Sequence, residues 1–235
     1  MRTFTEFGRS GLLALGWVVL SLAWSGCASL SSFQSARTLG HGHWEASGAL
    51  GVQGAAGRDV GDGPTARWPL FELAGRYGLT DWLDVGGTAS LTSLRASAKA
   101  RLYASDRFAL SVAPEVGGVI FKQGEEHVGQ FTATLPLLAG WQLTDTFEAV
   151  VGPRLLYLRA FPASDASPED RELFGAGTSV GAVIRISSWV RLVPEVAALV
   201  PFGVHRYRFG ERALPEVGGT QGLFLQAGVG VLVGH

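Results

Sequence analysis

The chain of 235 residues carries a single cysteine, Cys27, so no disulfide can form within it. Charge is scarce and balanced. Charged residues make up 17% of the chain and the net charge is -1, which leaves no basic surface for a nucleic-acid partner. Beyond the N-terminal segment no apolar run is long enough for a spanning helix. No glycine-rich phosphate loop is present. The histidines His41, His43, His127, His205 and His235 form no motif with a serine. His41 and His43 are close in sequence, but no cysteine, histidine or carboxylate cluster completes a metal site around them. The sequence therefore assigns no cofactor, no metal and no catalytic set.

Glycine, by contrast, is abundant at 33 residues, and it accompanies alternation rather than disorder. The clearest case surrounds the stretch Arg76-Tyr77-Gly78-Leu79-Thr80-Asp81-Trp82-Leu83-Asp84-Val85-Gly86. Phe71, Leu73, Gly75 and Tyr77 alternate with Glu72, Ala74 and Arg76. After the turn, Leu83, Val85, Gly87 and Ala89 alternate with Asp84, Gly86, Thr88 and Ser90. Period-two alternation on both sides of a short polar turn predicts a hairpin. The turn recurs at residues 142–149 and, more loosely, at 105–110 and 187–192.

Extended along the chain, the same pattern predicts ten strands near 43–53, 68–78, 82–91, 94–104, 107–118, 128–141, 147–158, 173–186, 189–200 and 221–233. Long connections are expected at 54–67, 119–127, 160–172 and 202–219, with a short one at Thr92-Ser93. Pro114, Pro136, Pro153 and Pro194 fall inside these strands. Each lacks a ladder donor, so bulges or shifted strand ends are expected there.

Alternation also fits a soluble barrel with an apolar interior. Two features favour a membrane barrel. The apolar face is rich in small residues such as Ala46, Gly48, Ala89, Ala96, Ala98 and Ala100, which could not fill a ten-stranded interior. Trp44, Trp68, Trp82, Trp141 and Trp189 lie at strand ends, where an aromatic girdle meets the membrane interface. The opposite face then lines the lumen. By parity it receives Glu45, Glu72, Arg76, Asp84, Arg95, Lys99, Arg101, Glu115, Glu148, Arg154, Arg185, Arg191 and Glu195, whose charges nearly balance. An ion-paired bore, a narrow charged pore and a polar ligand site are the readings open for them. Two loops carry charge. His205, Arg206, Arg208 and Arg212 could meet lipopolysaccharide phosphates. Asp165, Glu169, Asp170 and Glu172 match no calcium loop.

The N-terminus has an export pattern. Arg2 and Arg9 precede an apolar run from Gly11 to Trp24, which has signal-peptide length. With Ser25-Gly26 before Cys27, it resembles a bacterial lipoprotein signal, although Trp24 replaces the usual Leu. The resemblance implies cleavage before Cys27 and lipidation of its thiol. Residues 43–234 resemble, in architecture, small outer-membrane β-barrel proteins of Gram-negative bacteria, although the chain ends Val233-Gly234-His235 and not in an aromatic residue. Together these imply a signal peptide (1–26), a lipidated tether (27–42) and an all-β, up-and-down antiparallel transmembrane barrel (43–234). Short turns and both termini are expected in the periplasm. The implied partners are outer-membrane lipid, lipopolysaccharide, and the barrel-assembly and lipoprotein-export machineries. The expected role is structural, accessory or pore-like. The alternatives are a membrane-embedded lipid-modifying enzyme and a periplasmic lipoprotein with a soluble ligand-binding barrel.

Overall fold

The computed structural model describes residues 29–30, 32–57, 65–90, 93–123, 126–162, 169–208, 211–212 and 222–234. The described residues form ten barrel strands and no helix. Strand β1 spans Trp44–Gly57, β2 Thr65–Thr80, β3 Leu83–Ser90 and β4 Leu94–Ala104. Strand β5 has two segments, Phe108–Val112 and Glu115–Gln123. Then come β6 (Glu126–Thr144), β7 (Phe147–Pro162), β8 (Glu169–Arg185), β9 (Val190–Arg208) and β10 (Gly222–Gly234). Each strand pairs antiparallel with the next. β10 pairs with β1 from Glu45↔Gly234 to Gly57↔Gly222, which closes the sheet.

The four short turns share one local device. Thr80 Oγ1 accepts the amide of Trp82, Ser105 Oγ that of Phe108, Thr144 Oγ1 that of Thr146, and Ser187 Oγ those of Trp189 and Val190. A serine or threonine that bonds the backbone a few residues on stabilises a tight reversal. The recurrence seen in the sequence is this chemistry.

At the opposite end the expected connections are mostly strand. Residues 119–123 and 126–127 continue one hairpin, and β8 and β9 stay paired out to Arg208↔Glu169. Polar composition misleads there because strands that rise past an apolar band are wet on both faces and lose their alternation. The four prolines fall at ladder defects. Pro114 sits in the break of β5. Pro136 borders, and Pro153 lies in, a gap in the β6–β7 pairing between Pro136↔Arg154 and Ala139↔Val151. Pro194 lies in a gap in the β8–β9 pairing between Leu192↔Ile184 and Glu195↔Gly181.

The wall is inverted relative to a soluble barrel. Leu50, Leu73, Leu94, Leu135, Leu155, Val180 and Val196 are exposed outside, while Glu45, Glu72, Asp84, Lys99, Glu148, Arg154 and Glu195 are buried inside. Trp44, Trp82, Trp141 and Trp189 are exposed around the short-turn rim. Trp68 lies on β2 toward the other end, its side chain outside the described residues. Cys27 and residues 1–26 also lie outside the described residues.

Candidate functional site in the barrel bore

The bore is occupied. The described residues of the stretch expected to be a lipidated tether, 29–30 and 32–42, turn into the barrel at the short-turn rim and run up its interior. Two glycines make the reversal. Gly40 and Gly42 have φ of 88° and 79°, a conformation that side chains rarely adopt. Gly42 donates to the carbonyl of Gly78 (2.9 Å), and Gly78 donates to that of His43 (2.9 Å). Asp81, in the turn that opens β3, accepts from the His41 amide and, through its carbonyl, from Thr38. Arg37 donates to the carbonyls of Ser105 and Asp106.

Above this reversal Leu30, Phe33 and Ala36 point into three separate apolar clusters of the wall. Ala36 packs with Ala109, Ala113 and Leu138. Phe33 packs with Ala49, Leu70, Val150, Val183, Val193 and Leu232. Leu30 packs with Leu156, Ala197 and Leu199. The ring of Phe33 fits because Gly228 and Gly230 stand opposite. A Cβ at Gly228 would meet Phe33 Cζ at 2.8 Å, and one at Gly230 would meet Phe33 Cβ at 3.0 Å.

Between these anchors the charged wall holds the segment by its backbone. Glu195 accepts the amides of Ser32 (3.1 Å) and Phe33 (2.7 Å). Glu148 accepts the amide of Ala36 (3.2 Å) and the hydroxyl of Ser35 (2.7 Å). Asp84 accepts the amide of Leu39 (3.0 Å), and Gln226 that of Leu30 (2.6 Å). Lys99 donates to the carbonyls of Ser35 (3.2 Å) and Arg37 (2.6 Å). Glu72 accepts the Ser29 hydroxyl (3.1 Å), and Arg76 and Arg154 donate to Gln34 and Ser32. Phe33 has φ of 42°, a left-handed conformation that costs about 1–2 kcal/mol in a non-glycine residue. The two bonds to Glu195 offset that cost.

The wall charges also pair with one another. Arg95 bridges Glu72 and Glu115. Arg76 pairs with Glu45, and Arg191 reaches the same carboxylate at 2.9 Å. Lys99 lies 3.5 Å from Asp84, and Arg154 lies 3.6 Å from Glu195. Arg101 and Arg185 are exposed at the short-turn end. Arg185 lines a cleft of about 430 Å³ there, with Arg37, Glu45, Arg191 and Asp145. His41 sits at this rim and bonds the carbonyl of Leu79 (2.7 Å). At the far rim, Glu172 accepts the hydroxyl of Tyr157 (2.9 Å). The side chains of His205, Arg206, Arg208, Arg212, Glu169 and Asp170, and all of Asp165, lie outside the described residues.

Of the charges that parity sends to the bore, Arg101 and Arg185 are exposed, and parity did not reveal what the others hold. The available signal was the spacing Leu30, Phe33, Ala36, Leu39: one apolar residue in three, separated mainly by serine, glutamine and arginine.

The architecture defines a class: a closed, ten-stranded antiparallel barrel of the outer-membrane type. It superposes on the outer membrane protease OmpT of Escherichia coli with a TM-score of 0.50 at 10% identity, over 86% of this chain and 100% of that one. Neisserial surface protein A matches with a TM-score of 0.40 at 13% identity, over 82% and 99%. OprG of Pseudomonas aeruginosa matches with a TM-score of 0.38 at 11% identity, over 86% and 99%. At such identities the likeness concerns the fold alone. No family model and no curated protein matches the sequence.

Proposed function

We infer that this chain is a bacterial outer-membrane barrel with a structural or accessory role in the envelope, its bore closed by its own N-terminal segment. The observation that carries this reading is the filling of the interior by residues 29–30 and 32–39, with wall carboxylates and the Gln226 carboxamide bonded to the segment's amides. An apolar exterior and a charged, occupied interior suit residence in lipid without steady conduction. Short turns face the periplasm by the general rule for such barrels. Single-channel recording of the purified protein in planar bilayers tests the closed bore. No step above baseline is expected, and a steady open conductance would overturn it. Lipid A and phospholipid profiles of a deletion strain test the competing lipid-modifying reading, and they should match the parent.

Lipidation at Cys27 belongs to the same proposal. Intact mass of the mature chain decides the lipid, and a chain that starts unmodified at Ser29 would remove it.

A further inference from the structure

The segment in the bore resembles a bound ligand more than a piece of core. It is not a strand of the sheet, and it joins the barrel only through the glycine reversal at Gly40 and Gly42. The wall addresses its backbone. Glu195 takes two consecutive amides, Glu148, Asp84 and Gln226 take one each, and Lys99 takes two carbonyls. Such contacts read the course of a bent backbone rather than its side chains. Selectivity comes from the apolar seats, above all the one that Gly228 and Gly230 open for Phe33.

The wall's own charge balance does not need the segment. Among the described residues every salt bridge of the bore joins wall to wall: Arg95 with Glu72 and Glu115, Arg76 with Glu45 and Asp84, Lys99 with Asp84, Arg154 with Glu195, Arg191 with Glu45. Withdrawing residues 29–39 would free these acceptors but break none of these pairs. A core element would share the ion pairs of the core; this one leaves them closed.

We propose that the bore is a peptide-binding site for a bent, non-helical segment with free backbone amides, small polar residues and an aromatic anchor, and that residues 29–39 are its resident, displaceable ligand. The inference rests on the barrel reading above but not on the envelope role given to it. When the resident leaves, a segment of like chemistry from a second copy or another chain can take its place, and an ion-paired aqueous passage is left meanwhile.

The test uses the full mature chain with a protease recognition sequence inserted between Gly40 and Gly42. The protein is folded first and cut afterwards, so the barrel never has to fold without its segment. A fluorescent synthetic peptide with the sequence of residues 29–39 is then added. Saturable incorporation into the cut protein and none into the uncut protein is expected. A Phe33→Ala peptide should bind at least tenfold more weakly, and Glu195→Gln in the wall should weaken uptake of the parent peptide. Washing out the cut segment should produce conductance steps that the peptide blocks. Heat-modifiable gel mobility reports the barrel separately, so its loss would count against the fold reading alone. No exchange into a cut barrel that retains heat-modifiability would overturn the proposal, as would binding indifferent to Phe33→Ala.

Discussion

At the scale of single residues, the contact between Phe33 and Gly230 is a close one that fixes the anchor of the segment. A Cβ at Gly230 would stand 3.0 Å from Phe33 Cβ and 3.3 Å from Cγ, and the segment's backbone is pinned by Glu195. Gly230→Val is therefore expected to cost about 1–3 kcal/mol by overpacking. Phe33→Ala empties the seat among Val150, Val183, Val193 and Leu232 and should cost about 3 kcal/mol. The two changes combined should cost less than their sum, because alanine keeps Cβ but removes the ring atoms at 3.3 and 3.4 Å that the valine would crowd. Urea unfolding of the four members of this cycle in detergent micelles measures the coupling; strict additivity would mean that Phe33 does not occupy this seat. Gly42→Ala tests the reversal separately. Nothing lies within 4 Å of a Cβ there, so the loss reports backbone conformation alone, about 1–2 kcal/mol. Much of this scale was readable in advance. The inward carboxylates follow from parity, since a strand sends alternate side chains to opposite faces. Phe33 was not readable as a bore residue. Its partners Glu195 and Gly230 lie far away in sequence, and a spacing of three matches no strand or long helix.

At the scale of strands, the prolines show how the sheet tolerates missing donors. Pro194 pairs with Val229 on one side and lies in an unpaired stretch on the other. Its absent N–H therefore takes no ladder bond away. Pro194→Ala is expected to change stability by less than about 1 kcal/mol. Ala198 pairs with Leu225 and with Thr178, so a proline there removes a bond from an intact ladder and should cost about 3 kcal/mol or more. Heat-modifiable mobility of the two variants separates the cases: Pro194→Ala should keep the folded band and Ala198→Pro should weaken or lose it. Strand number and short turns were legible because alternation and turn chemistry are local. Strand length at the far rim was not, because the pattern comes from lipid on one face and fades where lipid ends.

At the scale of the molecule, the deciding property is that the sheet is apolar outside and charged inside. Val180 makes this testable. Its side chain is exposed on β8 within the band that also holds Leu155 and Val196, whereas its neighbour Ser179 is buried and bonded to Arg154. If the exterior meets hydrocarbon, Val180→Arg places a charge near the middle of the band and should cost about 2–4 kcal/mol. If the exterior met water, the same change would fall within about 0.5 kcal/mol, as exposed surface substitutions usually do. Reversible unfolding from phospholipid vesicles, run beside a Val180→Leu control of ordinary lipid preference, gives the difference directly. The control should stay near the parent while the arginine variant unfolds at lower denaturant. Equal midpoints would place this face in water, and the inverted barrel would lose its physical reason. The charged interior would survive that result as a peptide-holding site, since its contacts with residues 29–39 do not depend on what surrounds the wall.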